Sequence, residues 1–383
     1  MKSRIPLGSS TNSKRPAFTP QEPSVSLRAE GCRIWDDQGR EFIDYRCALG
    51  PVTLGYKYPA VDQAIRRQLD SGILFSHPHP IEHELAELLC QVVPCAEKVR
   101  FLKTGGEAVA ATIKLARHAT GRDHVVHIGY NGWLSVLAPP GHAGVPAAIS
   151  ALHHACEWND RAEMEQIFHD HAEQIAAVVV AGSYADMDMG ETFYPWLRDL
   201  TQRDGAVLIF DEIVTGFRLA LGGAQEYFNV VPDMAVFGKG MANGMPLATY
   251  LGRADLMDGC SEAFITSTHG GETLSLAAAK ATIGVFQEQD VVGHLWRQGQ
   301  KLWSALNDLA TERNLPLRVT GLWPCVQWQF DEPDLREPFL RAAYAHGVIL
   351  CDMGYVNFSH SDADIDDTIT RLGAAFDELV GNR

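Results

Sequence analysis

The sequence lacks the features that mark several classes of protein. None of its eight cysteines forms a C-x-x-C pair, so neither a disulfide framework nor a cysteine zinc site is indicated. No apolar run approaches the roughly 18 residues of a membrane span, and the stretch Met1–Pro20 has no apolar core of a secretory signal. Acidic residues outnumber basic ones without forming blocks, and the formal net charge of -16 argues against nucleic acid or an anionic membrane as a partner. We therefore expect a soluble cytoplasmic protein.

The pattern of apolar runs predicts an α/β fold. The chain has 383 residues, of which 46% are hydrophobic, and this length allows two domains with a large core. Between about residues 60 and 255, helical patterns alternate with short apolar runs, which predicts a mostly parallel sheet with helices on both faces. The strand candidates are Val99–Leu102, His124–Ile128, Ala176–Val180, Ala206–Phe210, Met234–Phe237 and Ala248–Leu251.

The same pattern suggests where the domains begin and end. We place a large domain over residues 51–290, since the alternation ends with a helix near Leu274–Gln287. Residues 291–383 predict a smaller α+β domain, to which residues 1–50 contribute. Within that first segment, Cys32–Asp44 reads as a hairpin, because two apolar runs flank an Asp-Gln-Gly turn.

Two fixed charges stand at predicted strand ends. Val207–Phe210 is a buried-strand pattern that runs directly into Asp211, and Met234–Phe237 leads to Lys239 between two glycines. In open α/β sheets, ligands bind at the carboxyl ends of the strands. A lysine amine and a buried acid suit pyridoxal phosphate (PLP): the lysine forms a Schiff base with the aldehyde, and the acid keeps the pyridine nitrogen protonated. The simpler alternative is a surface lysine in a glycine turn.

Two glycine-containing loops are suited to a phosphate group. Gly105 and Gly106 follow a predicted strand and open a helix, where backbone N–H groups and the positive end of the helix dipole attract anions. Thr104 adds a hydroxyl donor. A second polar loop, which contains Thr268, offers further hydroxyl groups.

An aromatic residue follows the next strand. In Gly129–Trp133, Tyr130 is the candidate for stacking on a planar cofactor ring, and we include Asn131 beside it. The alternative for Tyr130 is a half-buried aromatic that covers the sheet edge.

Taken together, these motifs resemble the class III aminotransferase family, and in particular its glutamate-1-semialdehyde aminomutase branch. The resemblance runs from about Arg28 to the end of the chain. The segments that carry it include Gly105–Ala108, Tyr130–Trp133, Leu208–Arg218, Phe237–Pro246 and His360–Asp366.

The resemblance implies fold type I of PLP enzymes, and usually a homodimer with active sites at the subunit interface. Lys239 would be the Schiff-base lysine and Asp211 the partner of the pyridine nitrogen. Ile213 would pack under the cofactor ring and Tyr130 on its other face. Thr104, Gly105 and Gly106 match the phosphate loop, and Thr268 matches a threonine that reaches the phosphate in the neighbouring subunit.

The chain also departs from this family. The strand that ends at Val180 is followed by Ala181-Gly182 where the family has Glu-Pro, so an acid near the ring edge is missing. The stretch between Trp133 and Gly144 is shorter than the gating loop of the mutase. Arg15 faintly matches an arginine that binds the substrate carboxylate, although a basic tail is the alternative.

Two histidines near the start of the large domain are candidate ligands or substrate residues. His77 and His79 lie in a proline-interrupted segment that does not suit shared metal coordination, so we predict no metal and consider both as substrate-channel residues. An aminotransferase that acts on small amines and carbonyl compounds is the favoured function. An aminomutase, a racemase, decarboxylase or cyclase of the same fold, and a non-catalytic PLP-fold protein remain the alternatives.

Overall fold

The computed structural model describes residues 4–138 and 141–381 of the chain. Within them the chain forms fourteen strands and twelve α-helices. The strands are β1 (Ser26–Glu30), β2 (Arg33–Asp36), β3 (Glu41–Asp44), β4 (Lys98–Leu102), β5 (His124–Ile128), β6 (His153–Ala155), β7 (Ile175–Ala181), β8 (Val207–Asp211), β9 (Met234–Phe237), β10 (Ala248–Gly252), β11 (Leu317–Leu322), β12 (Cys325–Phe330), β13 (Val348–Ile349) and β14 (Met353–Tyr355). The helices are α1 (Pro59–Leu69), α2 (Pro80–Val92), α3 (Gly105–Thr120), α4 (Ala147–Ser150), α5 (Arg161–Asp170), α6 (Gly190–Asp204), α7 (Ala224–Tyr227), α8 (Ala254–Met257), α9 (Thr273–Glu288), α10 (Val291–Glu312), α11 (Arg336–Ala345) and α12 (Asp362–Gly381).

The main sheet has seven strands in the order β4-β10-β9-β8-β7-β5-β6. Only β10 runs against the others, since it pairs antiparallel with both β4 and β9, so the prediction of a mostly parallel sheet is confirmed. All six strand candidates belong to it. The seventh strand, β6, was missed because it has three residues and begins with two histidines instead of an apolar run.

Burial explains why these segments form strands and helices. Strands β7, β8 and β9 are buried along almost their whole length, which requires helices on both faces of the sheet. Helix α3 packs against β7, β9 and β10 through small and branched residues such as Ala108 and Ile113, and ends at Gly121, whose φ of 66° is left-handed.

The chain divides into two compact units. One contains the main sheet and consists of Gly50–Thr53 and Pro59–Gly293. The other consists of the residues up to Leu49, Leu54–Tyr58, and the residues from His294 onward.

The second of these units contains two small sheets. Strands β1, β2 and β3 are antiparallel neighbours, and β13 joins β3 in parallel. The pairing of β2 with β3 confirms the predicted hairpin. Strands β11, β12 and β14 form an antiparallel sheet, and helix α11 packs against α12. Across residues 4–138 and 141–381, no helix is both long and apolar enough to cross a membrane.

Candidate active site

The carboxyl ends of the central strands bring the two predicted charges to one edge of the sheet. Asp211 is the last residue of β8, where it pairs with Ala181 of β7 on one side and Val236 of β9 on the other. Lys239 follows the end of β9 after a single glycine. Parallel strands end at a common edge, so both side chains lie where α/β folds bind ligands.

Asp211 is a buried acid with few compensating partners. Its side chain accepts hydrogen bonds from Asn131 Nδ2 at 3.2 Å and from the Ile213 amide at 3.2 Å. Burial raises the pKa of Asp211 to about 6, although these two hydrogen bonds and the positive charge of Lys239 act in the opposite direction. The Asp211 carboxylate is therefore suited to accept a further hydrogen bond from a positively charged donor.

Lys239 begins a short 3-10 turn that ends at Ala242, with a φ of 40°. This left-handed conformation is unfavourable for a residue other than glycine, and such residues cluster at functional sites. The next residue must be small, because a Cβ at Gly240 would lie 2.5 Å from Thr53 Oγ1. Tight packing therefore fixes the turn that carries the lysine.

Ile213 lies between two glycines that leave it no spare room. A Cβ at Gly105 or at Gly238 would stand 2.9 Å from Ile213 Cδ1. The first glycine begins α3 and the second precedes Lys239. The branched side chain thus fixes the distance between the predicted phosphate loop and the lysine turn.

Thr104 is the N-cap of α3 and already has a local partner. Its Oγ1 accepts a hydrogen bond from the Glu107 amide at 3.4 Å, and the Glu107 carboxylate returns to the Thr104 amide at 2.9 Å, which forms a capping box. The helix of 16 residues that follows directs its positive dipole end toward this loop.

An ion pair that the sequence did not reveal joins the two loops predicted to bind phosphate. Lys103 Nζ, beside the first loop, lies 2.9 Å from Glu272 Oε2, beside the second. Glu272 also caps α9 by accepting from the Leu274 amide at 2.6 Å. The exposed Thr268 belongs to this second loop. Glu272 thus has a structural function, since it pairs with Lys103 and caps α9.

Tyr130 and Asn131, the two candidate residues after β5, differ in burial. Asn131 is buried and contacts Asp211, whereas the Tyr130 side chain is 77% exposed. A half-buried Tyr130 that covers the sheet edge is therefore wrong, and stacking on a cofactor stays a prediction. Trp133 is 80% exposed. The shortened loop after it includes residues 139 and 140, which lie outside the described residues.

The structure gives local surroundings for the three predicted substrate residues. His79 is the N-cap of α2, where its Nδ1 accepts from the Ile81 amide at 3.2 Å and its ring stacks on Phe75. His77 is exposed, and Arg15 is exposed at the end of a 3-10 turn in the other compact unit. Their proposed contacts with substrate remain predictions.

Polar residues beneath the site were missed by the sequence reasoning. His127 of β5 and His153 of β6 are both buried, and their Nε2 and Nδ1 atoms lie 2.7 Å apart. His127 Nδ1 lies 3.4 Å from Asn131 Oδ1, so the pair connects to Asp211. The signal that could have found His127 is a polar residue inside an otherwise apolar buried run.

Glu212, next to Asp211, has a different function from its neighbour. It is buried and accepts hydrogen bonds from the Thr215 hydroxyl and from the amides of Ala224, at 2.8 Å, and Gln225, at 3.0 Å. It therefore holds the loop after β8. Of the two tandem acids, Glu212 therefore has a structural function, and Asp211 stays the predicted site residue.

Three further histidines meet on the opposite face of β5 and β6. His124 Nδ1 and His154 Nε2 face each other at 2.8 Å, and the His171 ring packs against both. The centroids of the first two rings are 5.1 Å apart and their planes differ by 12°. One ring nitrogen from each of the three histidines lies within 4.8 Å of the others, a spacing that could hold a metal ion.

Comparison with known proteins decides the family. The model of the aminotransferase class-III family matches residues 18–376. This chain belongs to the class III aminotransferase family. It is 33% identical to a glutamate-1-semialdehyde 2,1-aminomutase of Thermomicrobium roseum over 94% of the chain and 92% of that relative. It is 29% identical to the enzyme of the same name from Persephonella marina over 94% of the chain and 92% of the relative.

Solved structures of other proteins share the fold. The PLP internal aldimine form of the FumI protein of Sphingopyxis sp. MTA144 is 27% identical, with a TM-score of 0.90 over 95% of this chain and 91% of that one. A glutamate-1-semialdehyde aminomutase of Pseudomonas aeruginosa PAO1 in complex with PMP superposes with a TM-score of 0.83 at 22% identity, covering 94% and 89% of the two chains. The class III chain described here is a PLP-dependent enzyme, and the predictions of family, fold and cofactor are confirmed.

The residues of this class III chain fit PLP. Asp211 offers acceptor-only oxygens in a buried place, which suits a protonated ring nitrogen. Gly105 and Gly106 begin the 16-residue helix α3, so a phosphate at this end would meet backbone amides and the positive end of the helix dipole. Lys239 supplies the amine at the same sheet edge.

Proposed function

We propose that this enzyme moves an amino group between an amine or amino acid and a carbonyl compound, with Lys239 as the residue that transfers protons. PLP supplies an aldehyde that combines with amines and a ring that accepts electrons from the adjacent carbon. Lys239 Nζ takes the proton from the carbon that bears the substrate amine and returns it at the next position.

Each of the other residues has one task in this proposal. Asp211 accepts the hydrogen bond of the protonated ring nitrogen, and Asn131 holds the Asp211 carboxylate in place. Ile213 supports one face of the ring while Tyr130 covers the other. The amides that follow Thr104 at the start of α3 bind the phosphate.

One observation carries the proposal: the buried Asp211 ends β8, and Lys239 follows the end of β9, which pairs with β8 in parallel, so the acid and the amine are at the same edge of the sheet. A buried acid without a charged partner would be protonated near neutral pH. A basic amine on a strained turn and an acid at a strand tip are the pair that PLP chemistry requires.

An aminomutase is the second candidate, because two relatives of that name match at 33% and 29% identity over 94% of this chain. The position beside Asp211 favours a substrate other than that of the mutase. It holds Ala181, whose side chain carries no charge, at the strand end where the family has an acid. A racemase, decarboxylase or cyclase would use the same Lys239 and Asp211 and differ in the bond that breaks.

A single-turnover experiment on the PLP-loaded enzyme tests the proposal. A panel of amines and amino acids is added one at a time, and the mass of the released cofactor is measured together with the carbonyl product. Conversion to pyridoxamine phosphate with a stoichiometric carbonyl product supports transfer. Solvent deuterium at the α-carbon or release of carbon dioxide, without pyridoxamine phosphate, contradicts it.

A second experiment tests the assigned lysine. Borohydride reduction of the loaded protein, followed by peptide mass analysis, should place the cofactor mass on the peptide that contains Lys239. The Lys239→Ala variant should carry none, while Lys103→Ala, which removes a lysine that pairs with Glu272, should still be labelled. Labelling of another lysine contradicts the assignment.

We also propose that the enzyme is a homodimer in which Thr268 serves the active site of the partner subunit. The support is apolar surface on the unit that holds the main sheet. Phe264 is 79% exposed four residues before Thr268, and Ile73, Leu74 and Phe75 form an exposed apolar run. Exposed large apolar side chains are typical of protein–protein interfaces when they form a patch.

A further inference from the structure

A line of hydrogen bonds extends from Asp211 to a half-buried cation on helix α3. Asp211 accepts from Asn131, whose Oδ1 contacts His127, and His127 contacts His153. At the far end, Arg117 Nη2 lies 3.3 Å from His153 Nε2. Asn131, His127 and His153 are all buried.

The two ends of the line determine the direction of every bond in it. A guanidinium only donates, so His153 Nε2 must accept from Arg117. Burial lowers the pKa of His127 to about 3 and that of His153 to about 4, so at neutral pH each ring has one N–H and one lone pair. The proton of His153 is therefore on Nδ1, and it is donated to His127 Nε2.

The same logic continues to the carboxylate. Because Nε2 of His127 accepts, its Nδ1 carries the proton and donates it to Asn131 Oδ1. The oxygen of the Asn131 amide is thereby committed to His127, and its Nδ2 faces Asp211 as a donor. All four bonds point the same way, from a group that can only donate to a carboxylate that can only accept.

We infer that Arg117, His153 and His127 are positioning residues, which orient the Asn131 amide so that Asp211 stays an ionised acceptor for the cofactor ring nitrogen. None of the three needs to touch the cofactor. Reversal of one bond would turn the Asn131 oxygen toward the Asp211 oxygen, and the two acceptors would repel each other. This inference rests on the proposed function, since it assigns the ring nitrogen to Asp211.

The first experiment reads the tautomers directly. Nitrogen-15 NMR of the histidine-labelled, PLP-loaded enzyme at pH 7.5, with assignment by single substitution, shows which ring nitrogen carries the proton. We expect Nδ1–H in both His127 and His153. An Nε2–H tautomer in either ring overturns the inference. The spectrum is also recorded after the cofactor is removed, so the result does not depend on whether amino transfer occurs.

The second experiment changes the donor at the far end. Arg117→Met should weaken PLP binding by about 3- to 10-fold, as expected when one hydrogen bond to a charged group is impaired. Arg117→Lys keeps a group that only donates and should restore the affinity. Unchanged affinity in Arg117→Met overturns the inference.

A matched control separates this effect from damage to the sheet. His124→Gln removes a histidine on the same strand as His127, but on the opposite face, where it contacts His154. It should leave the PLP affinity and the tautomers of the inner pair unchanged. Failure of the proposed function would be seen separately, as absence of covalent cofactor on Lys239 in a protein whose tautomers are as expected.

Discussion

Gly105 lies so close to Ile213 that a Cβ on the glycine would stand 2.9 Å from Ile213 Cδ1. Through this contact, the packing at the start of α3 depends on the segment after β8. Neighbouring Gly106 has more room, because a Cβ on it would lie no closer than 3.8 Å to another atom, such as the Gly132 Cα. Two adjacent glycines in one predicted phosphate loop therefore have unequal tolerance for a methyl group.

We expect Gly105→Ala to destabilise the cofactor-free protein by about 1–3 kcal/mol through overpacking. Gly106→Ala, the matched control, should change stability by less than about 0.5 kcal/mol. Urea unfolding of the two variants measures the difference. Shortening the neighbour in a Gly105→Ala/Ile213→Val double variant should recover part of the loss, and equal costs for the two glycine variants would contradict this account.

The raised pKa of Asp211 predicts that the free energy of unfolding changes with pH. Its pKa is raised from 3.8 to about 6 in the folded protein, mainly by burial. Between these values the folded state holds a proton that the unfolded chain has lost. The stability that Asp211 contributes is therefore highest below the unfolded pKa and falls as pH rises through about 6.

The isosteric Asp211→Asn variant isolates this contribution in the cofactor-free protein. Relative to the parent, its free energy of unfolding should increase by about 1–3 kcal/mol between pH 4 and pH 7.5. Urea unfolding of both proteins at several pH values gives this difference in free energy. Any effect of the substitution that is the same at every pH leaves the slope of the difference against pH unchanged. A difference that is flat or that shrinks with rising pH would contradict the conclusion that burial outweighs the few compensating partners of Asp211.

The position of His79 at the N-cap of α2 predicts that its substitution lowers stability, whether or not the ring binds substrate. Because its Nδ1 caps α2, His79→Ala should cost about 1 kcal/mol, whereas His79→Asn retains a capping acceptor and should cost little. The exposed His77 is the control, and His77→Ala should stay within about 0.5 kcal/mol of the parent. Thermal unfolding and KM are measured together. A change of KM in the stable His79→Asn variant would show that the ring also binds substrate.

The proposed exchange of Thr268 between subunits predicts complementation. Thr268→Ala should weaken cofactor binding by about 10-fold, through the loss of a hydrogen bond to phosphate, and Lys239→Ala should be inactive. When the two variants are co-expressed, mixed dimers combine an intact Lys239 with an intact Thr268 from the other subunit. At limiting cofactor, about a quarter of the normal number of sites should then be active. No recovery in the mixture would mean that Thr268 serves its own subunit or that no dimer forms.

The sequence by itself determined the main sheet and the location of the site. Each of the six predicted strands is a short run of mostly apolar residues, and such runs are typically buried in a sheet that is covered on both faces. Asp211 ends one of these runs and Lys239 follows another after a single glycine, so both could be placed at the carboxyl edge without coordinates. The short strand β6, with its two histidines, lacks this signal.

Only the tertiary structure decided the contacts between residues that are far apart in the chain. Lys103 and Glu272 are 169 positions apart, and no local pattern predicts their ion pair. Strand pairing brings His153 beside His127, and the packing of α3 on the sheet brings Arg117 to the same line. Tyr130 shows the converse, since an aromatic at a strand end can be buried or exposed according to what packs over it. Local sequence determines which groups face the site, but their hydrogen-bond partners and burial depend on the neighbours that the folded chain supplies.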